Sequence, residues 1–337
     1  MKLVMPDFYP DFHCIGSACQ DNCCIGWEID IDPETAQRYR QIGGALGERL
    51  QKEIAWEEPA HFRLAGKDRC PFLNVQNLCD LYQQLGEDSL CQICQDHPRF
   101  RNVIGNREEI GLGLCCEEAV RLLISHLQPL GWIEEETQGT AEEEPLLPMV
   151  LQVRAQLLEI LQDRFRPLPE RVEIALSTTF QIQQEWEGEA GSPIPWAEIW
   201  AAFWNTLEQM EILDEENWPI LRGKVKVFVQ VHPWQEIHSL WETDQNAACI
   251  YEQLLVYFLY RYLIQAAWDG ELLARLWFTV ASVTVIAILD AIGQDPDGNL
   301  TQTQRIFHIK AYSKEVEYSE ENLDACLEAL AELRYEN

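Results

Sequence analysis

Ten of the twelve cysteines in this 337-residue chain lie within its first 116 residues. They form four groups: Cys14, Cys19, Cys23 and Cys24; Cys70 and Cys79; Cys91 and Cys94; and Cys115 and Cys116. Thiolates are soft ligands that select zinc or iron–sulfur clusters. Because one such site takes about four thiolates, ten thiols allow one site with spare cysteines or two sites. The cysteines therefore predict a metal centre in the first third of the chain.

The spacing favours an iron–sulfur cluster over zinc. Zinc knuckles usually bring two C-x2-C pairs, and only Cys91 and Cys94 have that spacing here. We therefore predict a 4Fe–4S cluster, with zinc as the alternative metal. The predicted ligands are a subset of Cys19, Cys23, Cys24, Cys70, Cys79, Cys91 and Cys94, and His13 and His97 are alternative ligands. The C-x3-C-x2-C spacing of radical enzymes is absent from the sequence.

The start of the chain and its apolar runs indicate the compartment. The first residues, MKLVMPDFYPDF, contain no apolar signal segment, and thiols stay reduced in the cytoplasm. The longest apolar runs, around 254–260 and 276–289, are shorter than the roughly 20 residues that a membrane-spanning helix needs. We expect a cytoplasmic protein without a membrane span.

The charge is strongly negative and uneven. The net charge is −31; residues 1–126 contribute 12 basic and 20 acidic side chains, net −8, and residues 127–337 contribute 13 and 36, net −23. Such a balance argues against nucleic-acid binding, which requires clustered Lys and Arg. It leaves two interpretations open: a well-solvated acidic surface, or the attraction of a lysine-rich protein segment.

The chain is predicted to be mainly α, with an irregular cysteine-rich metal-binding domain at 1–127, an acidic linker or exposed loop at 128–148 and a helical domain at 149–337. Asp32 is a predicted N-cap, and Gly105-Asn106 a hairpin turn. Helices are predicted at about 33–42, 45–56, 169–187, 196–211, 246–268, 271–292, 300–312 and 319–334. The helical pattern is weakest at 224–231, where the alternating KVKVFVQV is also compatible with a lone strand.

Four segments resemble the flagellin lysine-N-methylase family: FHCIGSACQDNCCIGWEIDID (12–32), CPFLNVQNLCDLYQQLGEDSLCQICQDHPR (70–99), LLVYFLYRYL (254–263) and AYSKEVEYSEENL (311–323). The cysteine-rich half is also similar to zinc- or iron-chelating proteins with a C-x2-C-x2-C-C pattern. The resemblance implies a cytoplasmic enzyme that transfers methyl groups from S-adenosylmethionine to flagellin lysines and holds an iron–sulfur cluster. This chain has Tyr318 where the family motif has His, and His97 where it has Tyr.

The methyl donor would need an unusual binding mode, because no βαβ unit with a glycine-rich loop is recognisable. One possibility is chelation of its amino and carboxylate groups to a cluster iron, and Arg99 and Arg101 are candidate cofactor-binding residues. Methyl transfer also needs a neutral, oriented lysine amine. Tyr260, Tyr312 and Glu315 are the candidate catalytic residues, although buried tyrosines also serve as core.

Three functions remain open from the sequence. The first is a protein lysine N-methyltransferase acting on a lysine-bearing protein such as flagellin. The second is a non-catalytic iron–sulfur or zinc protein that serves as chelator, carrier or redox sensor. The third is a redox enzyme that uses the cluster for electron transfer.

Overall fold

The computed structural model describes residues 1–20, 22–26, 28–66, 68–137, 144–188, 191–232, 234–242 and 245–336. The chain divides into two compact units. The cysteine unit comprises His13–Phe100 and Cys116–Glu118, and the helical unit comprises Met1–Phe12, Arg101–Cys115 and Ala119–Asn337. The helical unit is therefore assembled from three separate segments of the sequence.

Helices predominate among the described residues, which confirms the mainly α prediction. The strands are β1 (Lys2–Pro6), β2 (Asp30–Ile31), β3 (Ile54–Ala55), β4 (Ala60–Phe62), β5 (Arg99–Ile104), β6 (Arg107–Leu112) and β7 (Trp132–Glu136). The helices are α1 (Pro33–Gln41), α2 (Gly44–Glu53), α3 (Asp80–Leu85), α4 (Gln92–Asp96), α5 (Glu117–Ser125), α6 (Leu147–Leu161), α7 (Leu168–Glu187), α8 (Trp196–Gln209), α9 (Trp218–Val231), α10 (Trp234–Ser239), α11 (Gln245–Tyr262), α12 (Ala266–Asp269), α13 (Leu272–Gly293), α14 (Gln302–Val316) and α15 (Glu320–Glu336).

Asp32 fixes the start of two helices in the cysteine unit. Its Oδ1 accepts a hydrogen bond from the backbone N–H of Thr35 at 2.8 Å, which confirms the predicted N-cap of α1. Its Oδ2 accepts from the backbone N–H of Gln92, the first residue of α4, at 2.9 Å. One carboxylate thus satisfies donors of two helix N-termini that have no partner within their helices.

The cysteine unit has a small core of its own. Its three-stranded sheet has the order β2-β4-β3 and is antiparallel throughout. The largest buried side chains of this core are Tyr39, Phe62 and Phe72. Cys70 and Cys91 belong to the same core, and Cys24, Cys79 and Cys94 pack against it. The core therefore positions five of the predicted metal ligands.

The helical unit contains most of a four-stranded sheet, whose strand order is β5-β6-β1-β7. β1 runs parallel to β6 and antiparallel to β7. Gly105 has φ 56°, in the left-handed region that favours glycine, and the predicted hairpin turn between β5 and β6 is confirmed. The segment 128–148 differs from the predicted linker, since residues 132–136 pair with β1 as an edge strand. Residues 138–143 of that segment lie outside the described residues, and the units do not change at 127 or 148.

Helix α13 forms the centre of the helical unit. Every residue from Leu272 to Asp290 is buried, and α7, α8, α9, α11, α14 and α15 all contact it. At 22 residues it exceeds the apolar length expected from the sequence, and by length and composition it meets the criterion for a membrane span. Its apolar window is entirely buried within the protein, which is the environment of a core helix.

The lone strand compatible with the pattern at 224–231 does not form, because these residues lie in α9. The residues that α9 buries are Trp218, Leu221 and Val225, spaced as on one helical face. Packing of this face overrides the β-propensity of the alternating valines. Helix α14 also continues beyond its predicted end at 312 to Val316, which places Glu317 directly after a helix.

Asp32→Ala should lower the free energy of unfolding by about 1–2 kcal/mol, because it removes the acceptor for two helix N-termini. Burial opposes ionisation of Asp32, but the N–H groups of Gln92 and Thr35 outweigh it and lower the pKa of the carboxyl. Its contribution is therefore complete above the unfolded-state pKa and is lost as pH falls through the lower folded-state pKa. Urea denaturation at neutral and acidic pH measures both effects. Asp32→Asn, which retains one acceptor, is the control and should lose less; equal losses would contradict the capping role.

Candidate functional site

Cysteines from three of the four sequence groups lie together in the cysteine unit. Cys91 Sγ donates to Cys94 Sγ at 3.3 Å. Cys24 is hydrogen-bonded to Cys23 and lies close enough to Cys70 and Cys79 for their charges to raise its pKa. Cys94 in turn lies within electrostatic range of Cys24 and Cys70. The predicted ligands separated by up to 70 positions in sequence are thus brought to one place.

Backbone N–H groups donate to three of these sulfurs. Cys70, Cys79 and Cys91 each accept hydrogen bonds from N–H groups two or three residues further along the chain. Cys79 and Cys91 stand directly before α3 and α4, whose first N–H groups have no partner within the helix. Such donors stabilise negative charge on sulfur. These three cysteines therefore have the surroundings of thiolate ligands.

The thiols of this group oppose one another's ionisation. Burial raises the pKa of Cys70 to about 11 and also raises the pKa of Cys79. The hydrogen bond between Cys91 and Cys94 lowers the pKa of Cys91, although burial opposes this effect, and the same bond raises the pKa of Cys94. Several thiolates buried together need a compensating positive charge. A bound metal ion or cluster would supply that charge.

Tyr39 places an additional donor close to the thiols. Its side chain is 1% exposed, and its hydroxyl has no hydrogen-bond partner among the described residues. Burial, and then the nearby Cys91 and Cys94, raise the pKa of Tyr39, so the hydroxyl keeps its proton. A buried donor without an acceptor is costly, and the sulfur of a thiolate or a cluster is a suitable acceptor. The donor set and this hydroxyl fit a thiolate-ligated metal centre.

Three further predicted ligands are Cys19, Cys23 and His97. Cys19 Sγ donates to Glu117 Oε2 at 3.6 Å, and Cys23 is exposed. Burial, with Arg99 alongside, lowers the pKa of His97 to about 4, which leaves its imidazole neutral at pH 7. A neutral imidazole can bind a metal. The choice among these ligands stays a prediction.

The two predicted cofactor-binding arginines belong to different units. Arg99 lies in the cysteine unit, and its Nη1 donates to the carbonyl of Gln95 at 3.1 Å. Arg101 lies in the helical unit, where it pairs with Glu108 at 2.5 Å and is half-exposed. The cofactor-binding role predicted for Arg99 and that predicted for Arg101 therefore have to be tested separately.

The predicted catalytic tyrosines are buried in the helical unit. Tyr260 donates its hydroxyl to the carbonyls of Val4 and Ile110, at 2.9 and 3.1 Å, and so joins α11 to the sheet. Tyr312 donates to Ser282 Oγ at 2.7 Å and joins α14 to α13. Both hydroxyls therefore have structural partners, and a catalytic role for either stays a prediction.

Glu315, the third predicted catalytic residue, is also buried. Its two oxygens accept hydrogen bonds from the backbone N–H groups of Leu213 and Asp214, the first at 3.0 Å. Burial raises the pKa of its carboxyl. Glu315 thus fixes the segment that follows α8, and its catalytic role is likewise untested.

A second buried carboxylate, Glu317, lies at the centre of a polar cluster of α11 and the end of α14. Its Oε2 accepts from the hydroxyls of Tyr257 and Tyr262, at 2.8 and 2.7 Å, and from Arg261 Nη1 at 2.8 Å. Its Oε1 is buried and has no partner among the described residues. The next residue, Tyr318, is hydrogen-bonded to the thiol of Cys115. Three polar side chains thus donate to one oxygen of the carboxylate, and its other oxygen has no partner among the described residues.

The predicted catalytic residues are close neighbours of these residues in sequence. Tyr260 stands in the run that also contains Tyr257 and Tyr262, and Glu315 stands in the EVE that ends in Glu317. The spacing of Tyr257 and Arg261, i and i+4, places them on one helical face, and this signal pointed to the observed cluster. The predicted end of α14 at 312 concealed the position of Glu317 at the helix terminus.

Comparison with known proteins relates this region to lysine N-methylases. Residues 231–337 match the family described as the FliB lysine N-methylase C-terminal domain. Two proteins named Lysine-N-methylase, from Salmonella choleraesuis (strain SC-B67) and Salmonella typhimurium (strain LT2), are each 30% identical over 158 residues, covering 44% of this chain and 39% of those proteins. Flagellar biosynthetic protein FliU of Salmonella muenchen is 28% identical over 132 residues, covering 37% of this chain and 78% of that protein. No solved structure matches the chain.

The C-terminal part of the chain is thus similar to the FliB lysine N-methylase C-terminal domain. The resemblance to flagellin lysine-N-methylases is thereby confirmed for a segment that contains α11, α13, α14 and α15, including Glu317 and its three partners. The aligned region spans less than half the length of the proteins named Lysine-N-methylase. The N-terminal cysteine pattern stays a prediction.

Cys79→Ser should remove most of the bound metal from protein purified without oxygen, because it deletes a thiolate that backbone N–H groups stabilise. The loss should also lower the melting temperature, since metal binding is coupled to folding. Iron, sulfide and zinc analysis together with thermal denaturation measure both quantities. Cys249→Ser, a cysteine of α11 in the helical unit, is the matched control and should change neither.

Wild-type metal content in Cys79→Ser would exclude Cys79 as a ligand. Stoichiometric zinc without iron or sulfide in the wild-type protein would exclude the cluster. Glu28, Asp30 and His61 also bring ligand atoms within 4.8 Å of one another, so His61→Ala serves to subtract zinc bound at that exposed position.

Proposed function

We propose that this protein is a protein lysine N-methyltransferase that uses S-adenosylmethionine. The observation that carries the proposal is the match of residues 231–337 to the FliB lysine N-methylase C-terminal domain. The polar cluster around Glu317 lies within the matched segment and supports it, because a buried acceptor is suited to an amine. The alignment with relatives named Lysine-N-methylase supports the same reaction.

The proposed chemistry is a polar displacement. The lone pair of a neutral lysine Nε forms a bond to the methyl carbon as the carbon–sulfur bond of the sulfonium breaks, and its electron pair stays on sulfur. The products are methyllysine, S-adenosylhomocysteine and one proton. The protein's part is to desolvate and orient the amine and to accept its proton. Burial around Glu317 would serve the first two tasks.

The cysteine unit would hold a 4Fe–4S cluster through Cys70, Cys79 and Cys91 as the first-choice ligands, and the fourth iron would be either open or bound by Cys24 or Cys94. When bound, a cluster iron without a cysteine ligand offers a Lewis-acidic position for amino and carboxylate groups. Arg99 would then contribute positive charge near the thiolates in the same unit. Arg101, paired with Glu108 in the helical unit, is the weaker candidate for the cofactor carboxylate.

The substrate we propose is a lysine-bearing protein such as flagellin. The relative named Flagellar biosynthetic protein FliU supports a flagellar substrate. The net charge of −23 carried by residues 127–337 would attract a basic segment and speed its encounter. Exposed charges are screened by salt, so the encounter should slow as salt rises.

Protein prepared without oxygen should transfer labelled methyl groups from S-adenosylmethionine to lysines of flagellin or other lysine-rich proteins. The rate should fall between about 0.01 M and about 1 M salt, as the Debye length decreases from about 30 Å to about 3 Å. Mass spectrometry of digested products locates the methyl groups. Tyr260→Phe and Glu315→Gln, assayed beside the wild type, test the roles predicted for those residues. Formation of 5′-deoxyadenosine instead of S-adenosylhomocysteine would contradict the polar mechanism.

The second candidate function is a non-catalytic metal or iron–sulfur protein. One observation favours this function: the clustered cysteines lie within a unit that has a hydrophobic core of its own. If metal is bound and S-adenosylmethionine binds, but no protein becomes labelled, this second function replaces the first. Electron transfer to an external acceptor without methyl transfer would instead favour the redox enzyme.

A further inference from the structure

The buried carboxylates of the helical unit are hydrogen-bonded at both oxygens, with one exception. The paired ones are Glu109 with Arg107 and Arg154, Glu252 with Arg164 and Arg171, Asp290 with His308, Arg305 and Tyr251, and Glu315 with two backbone N–H groups. Glu317 is the exception among the described residues. Three donors contact its Oε2 and none contacts its Oε1. One oxygen of the Glu317 carboxylate therefore accepts three hydrogen bonds, and the other oxygen accepts none from the described residues.

The position of Glu317 is also unfavourable for stability alone. Its side chain is 0% exposed, and a buried oxygen without a donor costs free energy. It is the C-cap of α14, where the negative end of the helix dipole disfavours a carboxylate and favours a positively charged or donating group. Both features are compensated if a donor from outside the chain binds Oε1.

The surroundings define the chemistry of that donor. Burial raises the pKa of Tyr257 and of Tyr262, so both phenols keep their protons and remain donors to Oε2. Oε1 is consequently an acceptor for an N–H group. The positive guanidinium of Arg261, 2.8 Å from Oε2, disfavours a second full positive charge nearby. The cluster therefore favours a neutral amine, the form that carries the lone pair needed for methylation.

The cluster lies next to partly exposed chain. Tyr318 and Ser319, which connect α14 to α15, are both half-buried. Glu317 is thus followed in sequence by two residues that are partly accessible to solvent.

We propose that Glu317 Oε1 binds the side-chain amine of the substrate lysine, in a site completed by Tyr257, Arg261 and Tyr262. The proposal rests on the methyltransferase function proposed above and specifies where its amine substrate binds. Glu317 holds and orients the amine through one hydrogen bond, and the three donors on Oε2 fix the carboxylate in position. A second source of the same chemistry is the amino group of S-adenosylmethionine, which the experiment separates from lysine.

Glu317→Gln gives a sharp test because the three donors on Oε2 dictate how the amide is oriented. They require the amide oxygen at the Oε2 position, which places the amide NH2 where Oε1 was. The acceptor for the amine thereby becomes a donor, with almost no change in volume. Glu317→Asp keeps the charge but withdraws the carboxylate, and it serves if the Gln variant does not fold.

The probes are n-butylamine, n-butyltrimethylammonium and S-adenosylmethionine, each titrated calorimetrically into the full chain purified without oxygen. Wild-type protein should bind n-butylamine, and Glu317→Gln should bind it about 10- to 100-fold more weakly, the loss expected for one hydrogen bond to a charged partner. n-Butyltrimethylammonium, which has no N–H, should bind more weakly than n-butylamine to the wild type. Glu252→Gln is the matched control, because Arg164 and Arg171 leave no vacant acceptor there, and it should retain the wild-type affinity.

Equal n-butylamine affinity in the wild type and Glu317→Gln, or no binding by either, would overturn the proposal and leave Oε1 to a buried water. A loss of S-adenosylmethionine affinity with unchanged n-butylamine affinity would assign the site to the cofactor amino group and also overturn it. The binding result does not depend on turnover. If the wild type binds the amine through Glu317 but methylates no protein, the methyltransferase function fails while the amine site stands.

Discussion

The helical unit depends on the burial of α13. A helix that is apolar on every side must be covered on every side, and helices α7 to α11, α14 and α15 all contact α13. Burial of a large aliphatic side chain contributes about 1.5–3 kcal/mol, so this helix sets the positions of its neighbours. Two of those neighbours, α11 and α14, carry the tyrosines and carboxylates of the polar cluster. The site is thus positioned by an apolar element that contributes no side chain to Glu317.

The two units differ in the partner that their buried polar groups lack. The cysteine unit gathers thiols whose ionisation requires a positive partner, and backbone N–H groups already prepare three of them. The helical unit buries several carboxylates, and arginine, histidine, tyrosine or backbone donors bind the oxygens of each described one except Glu317 Oε1. A metal centre would supply the positive charge in the first unit, and an amine would supply the missing donor in the second. Both belong to the methyltransferase function proposed above.

Much of the fold was predictable from local signals. The N-cap at Asp32, the turn at Gly105 and the helical periodicity of residues 169–187 and 271–292 follow from short-range physics, and the structure has them. The pattern at 224–231 was also compatible with a lone strand because alternating valines carry β-propensity, while packing of Trp218, Leu221 and Val225 decided the outcome in favour of a helix. The edge strand at 132–136 escaped prediction because its partner, β1, is more than a hundred residues away.

The site was only partly predictable for a similar reason. Cysteine spacing indicated a metal centre. The position of the Tyr39 hydroxyl near Cys91 and Cys94 depends on the fold, so that spacing could not predict it. Tyr260 and Glu315 lie in the same motifs as the polar cluster around Glu317, yet their hydrogen bonds hold the sheet and the segment after α8. Which tyrosine of a helix faces a carboxylate depends on the packing of α11 against the end of α14. That packing is not encoded within either motif.

The most direct measurement is a crystal structure of the protein soaked in n-butylamine. The account predicts an amine nitrogen about 2.6–3.2 Å from Glu317 Oε1, with the hydroxyls of Tyr257 and Tyr262 still bonded to Oε2. Density for a water alone at that position, or an amine bound elsewhere with Oε1 contacted by a protein donor, would contradict it.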